Sequence, residues 1–218
     1  EHLSIVGALT ALMLLVAAYF AIGLVDDWLT VRSSGGKRGL GSKLKFALQF
    51  AAAVLFVVWL AGSGNLDPVV TLGPYVRLDL GWAYAPLAVL FIAGMANFIN
   101  ITDGLDGMAA GLTVILGLTL ALIPALTGAS QEYPGYSYLL LALAGACAGF
   151  LWFNFNPAKI FMGDTGSLAI GALIPAAAIL MKLEIPMVVA GLVFILDGLS
   201  SAVQWAVFKY TRVTTGAG

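Results

Sequence analysis

Seven uninterrupted apolar runs, spread from one end of the chain to the other, constrain this sequence more than any other feature. They lie at about Leu3–Val25, Leu44–Leu60, Trp82–Ile99, Met108–Leu126, Tyr138–Phe153, Ser167–Met181 and Pro186–Phe208. A bilayer core of about 30 Å needs about 20 apolar residues per helix. The fifth and sixth runs fall short of that length, which predicts tilted or broken helices. The apolar residues are continuous and do not alternate with period two, so a β-barrel does not fit. The expected fold is all-α: a polytopic helical membrane bundle, one transmembrane domain over residues 1–218.

Composition agrees. The chain is 61% hydrophobic and 10% charged, against roughly 25% charged in an ordinary soluble domain. Too few charges remain to cover a water-facing surface. Disorder, a coiled coil, a nucleic-acid-binding module and a disulfide scaffold are excluded by the same numbers. Cys147, in the run LALAGACAGF, reads as a small buried hydrophobe. The first run lacks a basic leading region and ends in Asp26-Asp27, so a cleavable signal peptide is not expected. Neither a linker nor a fixed-period repeat is visible, and an inverted-repeat transporter has no support.

Orientation follows from the ten Lys and Arg residues. Arg32, Lys37, Arg38, Lys43, Lys45, Lys159, Lys209 and Arg212 fall on one side of the seven-span map. Arg77 and Lys182 fall on the other. The side with eight is expected to be cytoplasmic, which places the first residue outside and the last inside.

The eleven acids sort onto the same map. Glu1, Asp67, Asp79, Glu132 and Glu184 scatter singly outside, and Asp197 lies within the last run. The other five occur where spans meet the cytoplasmic side: Asp26-Asp27 in GLVDDW, Asp103 and Asp106 in NITDGLDG, and Asp164 in FMGDTGS. Taken singly, each could be a helix cap or turn residue. Together they are expected to converge on one cleft, because acids bordering membrane spans are costly and usually functional. Gathered carboxylates repel one another unless a cation is present. An all-oxygen donor set without Cys or clustered His points to Mg²⁺ or Mn²⁺ rather than zinc.

Glycines accompany these acids. Gly104 and Gly107 flank the DGLDG turn, and Gly163 and Gly166 bracket Asp164. They can end helices or let the backbone approach a phosphate at a helix start; acid and glycine together favour a nucleotide-diphosphate site. Asn97 and Asn100 precede the first acid segment and share a helix face at spacing three, and Asn154 and Asn156 precede the second. Holding a neighbouring helix and holding substrate both stay open for these amides. Lys43 and Lys45 stand closest to the re-entry of the second span, where they could meet a lipid phosphate. Gln204, in SAVQW, is a polar residue at membrane depth with the same ambiguity. Phosphoryl transfer from a nucleotide substrate to a membrane-resident acceptor fits these features best.

The segments GLVDDW, NFINITDGLDGMA, FLWFNFNPAKIFMGDTGSLAIG and FILDGLSSAVQWAVFKYT resemble the polyprenyl-phosphate N-acetylhexosamine-1-phosphate transferases. Siblings that load GlcNAc-1-phosphate read more like DGIDGL and GDAGS, so the resemblance is to the muramoyl branch. It extends over essentially the whole chain. It implies a Mg²⁺-dependent enzyme that joins UDP-MurNAc-pentapeptide to undecaprenyl phosphate, giving lipid I and UMP. The location implied is a bacterial inner membrane, multi-pass, with the active site on the cytoplasmic face. The partners are the two substrates and the lipid bilayer, with a homodimer left open and no nucleic acid.

The same resemblance implies roles. Asp164 is the chief metal ligand with Asp103 as a second, and Asp26 and Asp27 stand at the reacting phosphates. Asp26 is the base or the orienter of the lipid phosphate, which Lys43 or Lys45 holds. Asp103 and Asn100 lie near the diphosphate, and Asn97 also belongs to the substrate-binding set. Gly104, Leu105 and Asp106 line the uridine pocket with Phe161, Gly163 and Gln204, while Asn154 and Ser167 support the site. Family members have ten spans and a histidine-rich loop, whereas this chain shows seven spans and the single His2. The resemblance therefore implies a partial chain, inactive alone. Thr30 stands where lysine is common, and Asp197 where many members carry Glu. A GlcNAc-1-phosphate transferase is the alternative within enzymes; a proton or cation transporter and a non-catalytic scaffold are the alternatives outside them.

Overall fold

A computed structural model describes residues 2–33, 39–72, 76–128 and 134–215. Seven of its helices are long and apolar enough to cross a membrane. The elements are α1 (His2–Arg32), α2 (Ser42–Gly62), a hairpin of β1 (Val69–Leu72) and β2 (Val76–Asp79), α3 (Tyr84–Thr102), α4 (Met108–Thr127), α5 (Pro134–Asn154), α6 (Gly163–Leu180), α7 (Glu184–Ala190) and α8 (Leu192–Thr215). A helix satisfies every backbone group within itself, which is what an apolar run needs in lipid.

The centre of the bundle is α6. It packs against α1 on one side and α3 on the other, while α4 pairs with α5 and α8 leans on α3. Small residues explain the central position. A Cβ added at Gly171 of α6 would lie 2.5 Å from the Cα of Ala96 on α3, so the two backbones approach as only small residues permit. Around this contact Ile92, Ile99, Leu168, Ile174 and Ala176 are fully buried.

The structure corrects two of the spans that the apolar runs predict. The first run ends near Val25, but α1 continues to Arg32 and carries Asp26 and Asp27 as helical residues. Helical hydrogen bonding does not stop where the apolar residues do, and Thr30 Oγ1 donates to the Asp26 carbonyl at 2.9 Å. The last run forms two helices, α7 and α8, divided at Gly191, which has φ −91° and ψ 10°. An apolar run does not reveal where its axis breaks.

The antiparallel hairpin has no counterpart in the all-helical reading; it pairs Val69 with Asp79 and Leu72 with Val76. It is tied to the helices at the bundle end opposite the acid cluster. Lys182, in the turn after α6, donates to the Asp67 carbonyl at 2.7 Å and lies 3.4 Å from Glu184 Oε1. Tyr84, at the start of α3, donates its hydroxyl to the same Glu184 oxygen.

Candidate functional site: an acid and lysine cluster where four helices end

Helices α1, α2, α3 and α6 each bring one polar segment to the same end of the bundle. Ligand oxygens of Asp26, Asp27 and Asp164 all lie within 4.8 Å of one another. Asp26 and Asp27 occupy the last two turns of α1, and Asp164 the first turn of α6.

Each carboxylate is held differently. Asp26 accepts the Leu40 backbone N–H on Oδ1 at 2.6 Å and faces the Lys45 ammonium at 3.4 Å with Oδ2. Asp164 accepts Asn100 Nδ2 on Oδ1 at 2.7 Å and pairs with Lys45 through Oδ2. Asp27 turns both oxygens to the start of α6. Its Oδ1 accepts the Asp164 N–H at 3.2 Å, and its Oδ2 accepts the Thr165 N–H at 2.9 Å and the Thr165 hydroxyl at 2.5 Å. The first N–H groups of any helix lack internal partners, and the N-cap position of α6 supplies no side-chain bond. Asp27 thus caps α6 from another helix, its charge aligned with the positive end of the helix dipole. The approach requires Gly163, whose φ is +69° and whose Cβ, if present, would lie 2.8 Å from Asp27 Oδ2.

A further layer supports these groups. Asn100 also donates to Ser167 Oγ at 2.8 Å, and Ser167 in turn donates to the Gly163 carbonyl at 2.7 Å. One turn deeper, Asn97 Nδ2 donates to Gln49 Oε1 at 2.6 Å and to the Ala93 carbonyl at 2.8 Å. Gln49 is fully buried and its backbone carbonyl accepts the Tyr19 hydroxyl at 2.8 Å.

Asp103, just past the end of α3, is buried but lies outside the carboxylate triplet. Burial pushes its pKa from 3.8 up to about 6, and the negative charges of Asp164 and Asp27 add to the rise while the Gly163 N–H opposes it. Asp106 and Asn154 fasten the neighbouring loops. Asp106 Oδ2 accepts Asn156 Nδ2 and the Ala158 N–H, both at 3.0 Å. Buried Asn154 accepts the Gly107 N–H at 3.1 Å and donates to the Ile160 carbonyl at 2.8 Å. Gly104, Leu105 and Phe161 are exposed beside these loops. Lys43 is exposed one residue into α2.

Gln204 is not drawn in. It is exposed on α8 and donates to Ser200 of its own helix at 3.0 Å. Asp197 is anchored at the end of α3, where the buried Thr102 hydroxyl donates to its Oδ2 at 2.8 Å. Gln49, Thr165 and Thr102 join the site from outside the set of residues that the sequence singles out. For Gln49 a signal exists: it lies four residues after Lys45, on the same face of α2.

The donor set suits a hard divalent cation. Three carboxylates supply oxygen ligands only, and the cluster already gathers positive charge in the form of Lys45.

Residues 9–182 match the glycosyl transferase family 4. The chain is 38% identical over 209 residues to a phospho-N-acetylmuramoyl-pentapeptide-transferase of Wolbachia sp. subsp. Drosophila simulans (strain wRi), covering 95% of this chain and 63% of that protein. It is 39% identical over 208 residues to the protein of the same name from Synechococcus sp. (strain JA-2-3B'a(2-13)), covering 95% and 58%. It is 41% identical over 208 residues to that of Bacillus thuringiensis (strain Al Hakam), covering 94% and 62%. The chain therefore spans about three fifths of the length of these relatives.

Proposed function

The chain belongs to glycosyl transferase family 4, and on that premise we propose that it is the catalytic part of a phospho-N-acetylmuramoyl-pentapeptide-transferase. The donor is UDP-MurNAc-pentapeptide, the acceptor undecaprenyl phosphate, and the products lipid I and UMP. The acid end of the bundle faces the cytoplasm of a bacterial inner membrane, in keeping with the eight basic residues on that side.

In this reading an oxygen of the lipid phosphate attacks the β-phosphorus of the UDP-sugar. The bond from that phosphorus to the bridging oxygen breaks, and UMP leaves with the electron pair. The lipid phosphate is already ionised near pH 7, so positioning and charge neutralisation carry the rate more than proton removal. Asp164 would hold Mg²⁺ with Asp26; Asp103, which the resemblance names as the second ligand, stands outside the carboxylate triplet and with Asp27 would add negative charge beside the ion. When bound, the ion neutralises the diphosphate and stabilises the departing UMP. Asn100 keeps Asp164 oriented through Oδ1. Leu40 does the same for Asp26, which aims that carboxylate at the acceptor phosphate. Lys45, and Lys43 at the exposed start of α2, draw the lipid phosphate in. Gly104, Leu105, Asp106 and Phe161 form the side on which uridine rests, with Asn97, Asn154 and Ser167 holding the surrounding backbone.

The observation that carries this reading is the meeting of Asp26, Asp27 and Asp164 within 4.8 Å in a membrane bundle of this family. The test is Asp164→Ala in the full-length protein, assayed for Mg²⁺-dependent UMP release with UDP-MurNAc-pentapeptide and UDP-GlcNAc as separate donors. Loss of release with the first donor is expected, with cooperative thermal unfolding retained. Near-normal turnover would remove the metal assignment, and activity with UDP-GlcNAc alone would move the protein to the GlcNAc-1-phosphate branch.

A further inference from the structure

Lys45 stands where a bound cation would compete with it. Its ammonium touches Asp164 Oδ2 and Asp26 Oδ2, two of the three carboxylates that gather at the site. In both carboxylates the other oxygen is held by a neutral donor: Asn100 Nδ2 on Asp164 Oδ1, and the Leu40 N–H on Asp26 Oδ1. Each acid is thereby kept oriented whether or not Lys45 is present, and each offers its Oδ2 to positive charge. Asp27 is less available, because its Oδ2 accepts two hydrogen bonds from the start of α6 and its Oδ1 accepts one. A divalent ion entering the cluster therefore meets the lysine at the two carboxylate oxygens that no neutral donor holds.

Resting on the function proposed above, we infer that Lys45 is an exchangeable internal cation. It holds Asp26 and Asp164 together without metal, and gives up Asp164 Oδ2 when a divalent ion enters. The released ammonium then faces an anionic phosphate at the same site. Lysine suits such an exchange, being a point charge on a flexible four-carbon stem and not a planar fork fixed on one carboxylate. Two consequences follow. Pairing with Lys45 lowers the apparent affinity for the ion by the fraction of time that the lysine occupies the site. The ion and the phosphate then assist each other's binding reciprocally.

The experiment measures Mn²⁺ binding by electron paramagnetic resonance on the full-length protein in detergent, for the parent, Lys45→Met and Lys45→Gln. Lys159→Met serves as a charge-loss control at an exposed position. The lysine variants should bind Mn²⁺ at least tenfold more tightly than the parent, and the control within twofold of it. Unchanged or weaker Mn²⁺ binding by both lysine variants, with parental unfolding temperatures, overturns the exchange. If neither the parent nor the variants bind Mn²⁺ saturably, the metal-dependent function itself fails, which is a separate result. A second arm titrates dodecyl phosphate and UMP with and without Mn²⁺. Mn²⁺ should tighten parental binding of one of them, with a smaller gain in Lys45→Met. A gain for dodecyl phosphate assigns the freed lysine to the lipid acceptor, and a gain for UMP assigns it to the nucleotide. An equal gain in parent and variant overturns the release of Lys45 to phosphate.

Discussion

Gly23 of α1 lies against the backbone of Asp164: a Cβ at Gly23 would stand 2.2 Å from the Asp164 carbonyl oxygen and 2.6 Å from the Thr165 nitrogen. That contact brings Asp26 and Asp27, one turn further along α1, to the start of α6. Gly23→Ala cannot be absorbed by a rotamer change, because the obstacle is backbone. Overpacking of this kind costs about 1–3 kcal/mol. The variant should unfold at a lower temperature in detergent and lose most UMP release, since the two halves of the acid cluster are pushed apart. Wild-type activity in Gly23→Ala would show that the α1–α6 spacing does not set the site.

The Gln49–Asn97 pair predicts an asymmetry. Asn97 Nδ2 has two acceptors, Gln49 Oε1 and the Ala93 carbonyl. Gln49→Leu leaves the second in place and should cost about 1 kcal/mol, the scale of a hydrogen bond between membrane helices. Asn97→Leu instead strands the buried Gln49 carboxamide, already without a partner at Nε2 among the described residues, and should cost about 1–3 kcal/mol. The double variant should be more stable than Asn97→Leu alone. Unfolding titrations of the three proteins decide it; equal costs for the single variants would mean that the pair is not the anchor.

The fold is legible in the sequence where one property decides it. Continuous apolar length yields seven spans because lipid demands little else. The α1 extension past Val25, the break at Gly191 and the Val69–Asp79 hairpin are not legible. Each depends on backbone geometry or on four-residue strands too short to stand out. In the site, the acids announce themselves because charge beside a span is expensive. The division of labour among them does not: Asp27 becomes a helix cap only because α6, 137 residues later, starts beside it. The family resemblance puts Gln204 near the nucleotide; in the structure it is exposed on α8 and donates to Ser200.

Asp27 and Asp164 should separate in stability. Asp27→Ala leaves the Asp164 and Thr165 N–H groups in the first turn of α6 and the Thr165 hydroxyl without their acceptor, at a cost of about 0.5–2 kcal/mol by comparison with other lost caps. Asp27→Asn keeps one oxygen and should fall between. Asp164→Ala removes no cap; it gives up the partly exposed pair with Lys45 and one hydrogen bond from Asn100, so in metal-free buffer its loss should be smaller than that of Asp27→Ala. Thermal unfolding of the three variants without divalent cations measures this ordering. A larger loss in Asp164→Ala than in Asp27→Ala would assign the anchoring role to the wrong acid.

Asp103 makes stability depend on pH in a direction opposite to a salt-bridged acid. Its pKa is about 6 in the folded protein against 3.8 ordinarily, chiefly through burial. The folded state therefore holds the proton more tightly than the unfolded chain. The group's penalty is absent below about pH 3.8 and grows as pH rises through 6. Asp103→Asn mimics the neutral form, so it should unfold at a higher temperature than the parent at pH 7.5. The gap should shrink at pH 5 and close near pH 4. Adding Mg²⁺ should narrow it at pH 7.5, because a cation beside Asp164 and Asp27 offsets the charges that help to raise the Asp103 pKa. Unfolding temperatures of both proteins across pH 4–8, with EDTA and then with Mg²⁺, provide the measurement. A gap that stays constant with pH would show that Asp103 remains ionised throughout that range.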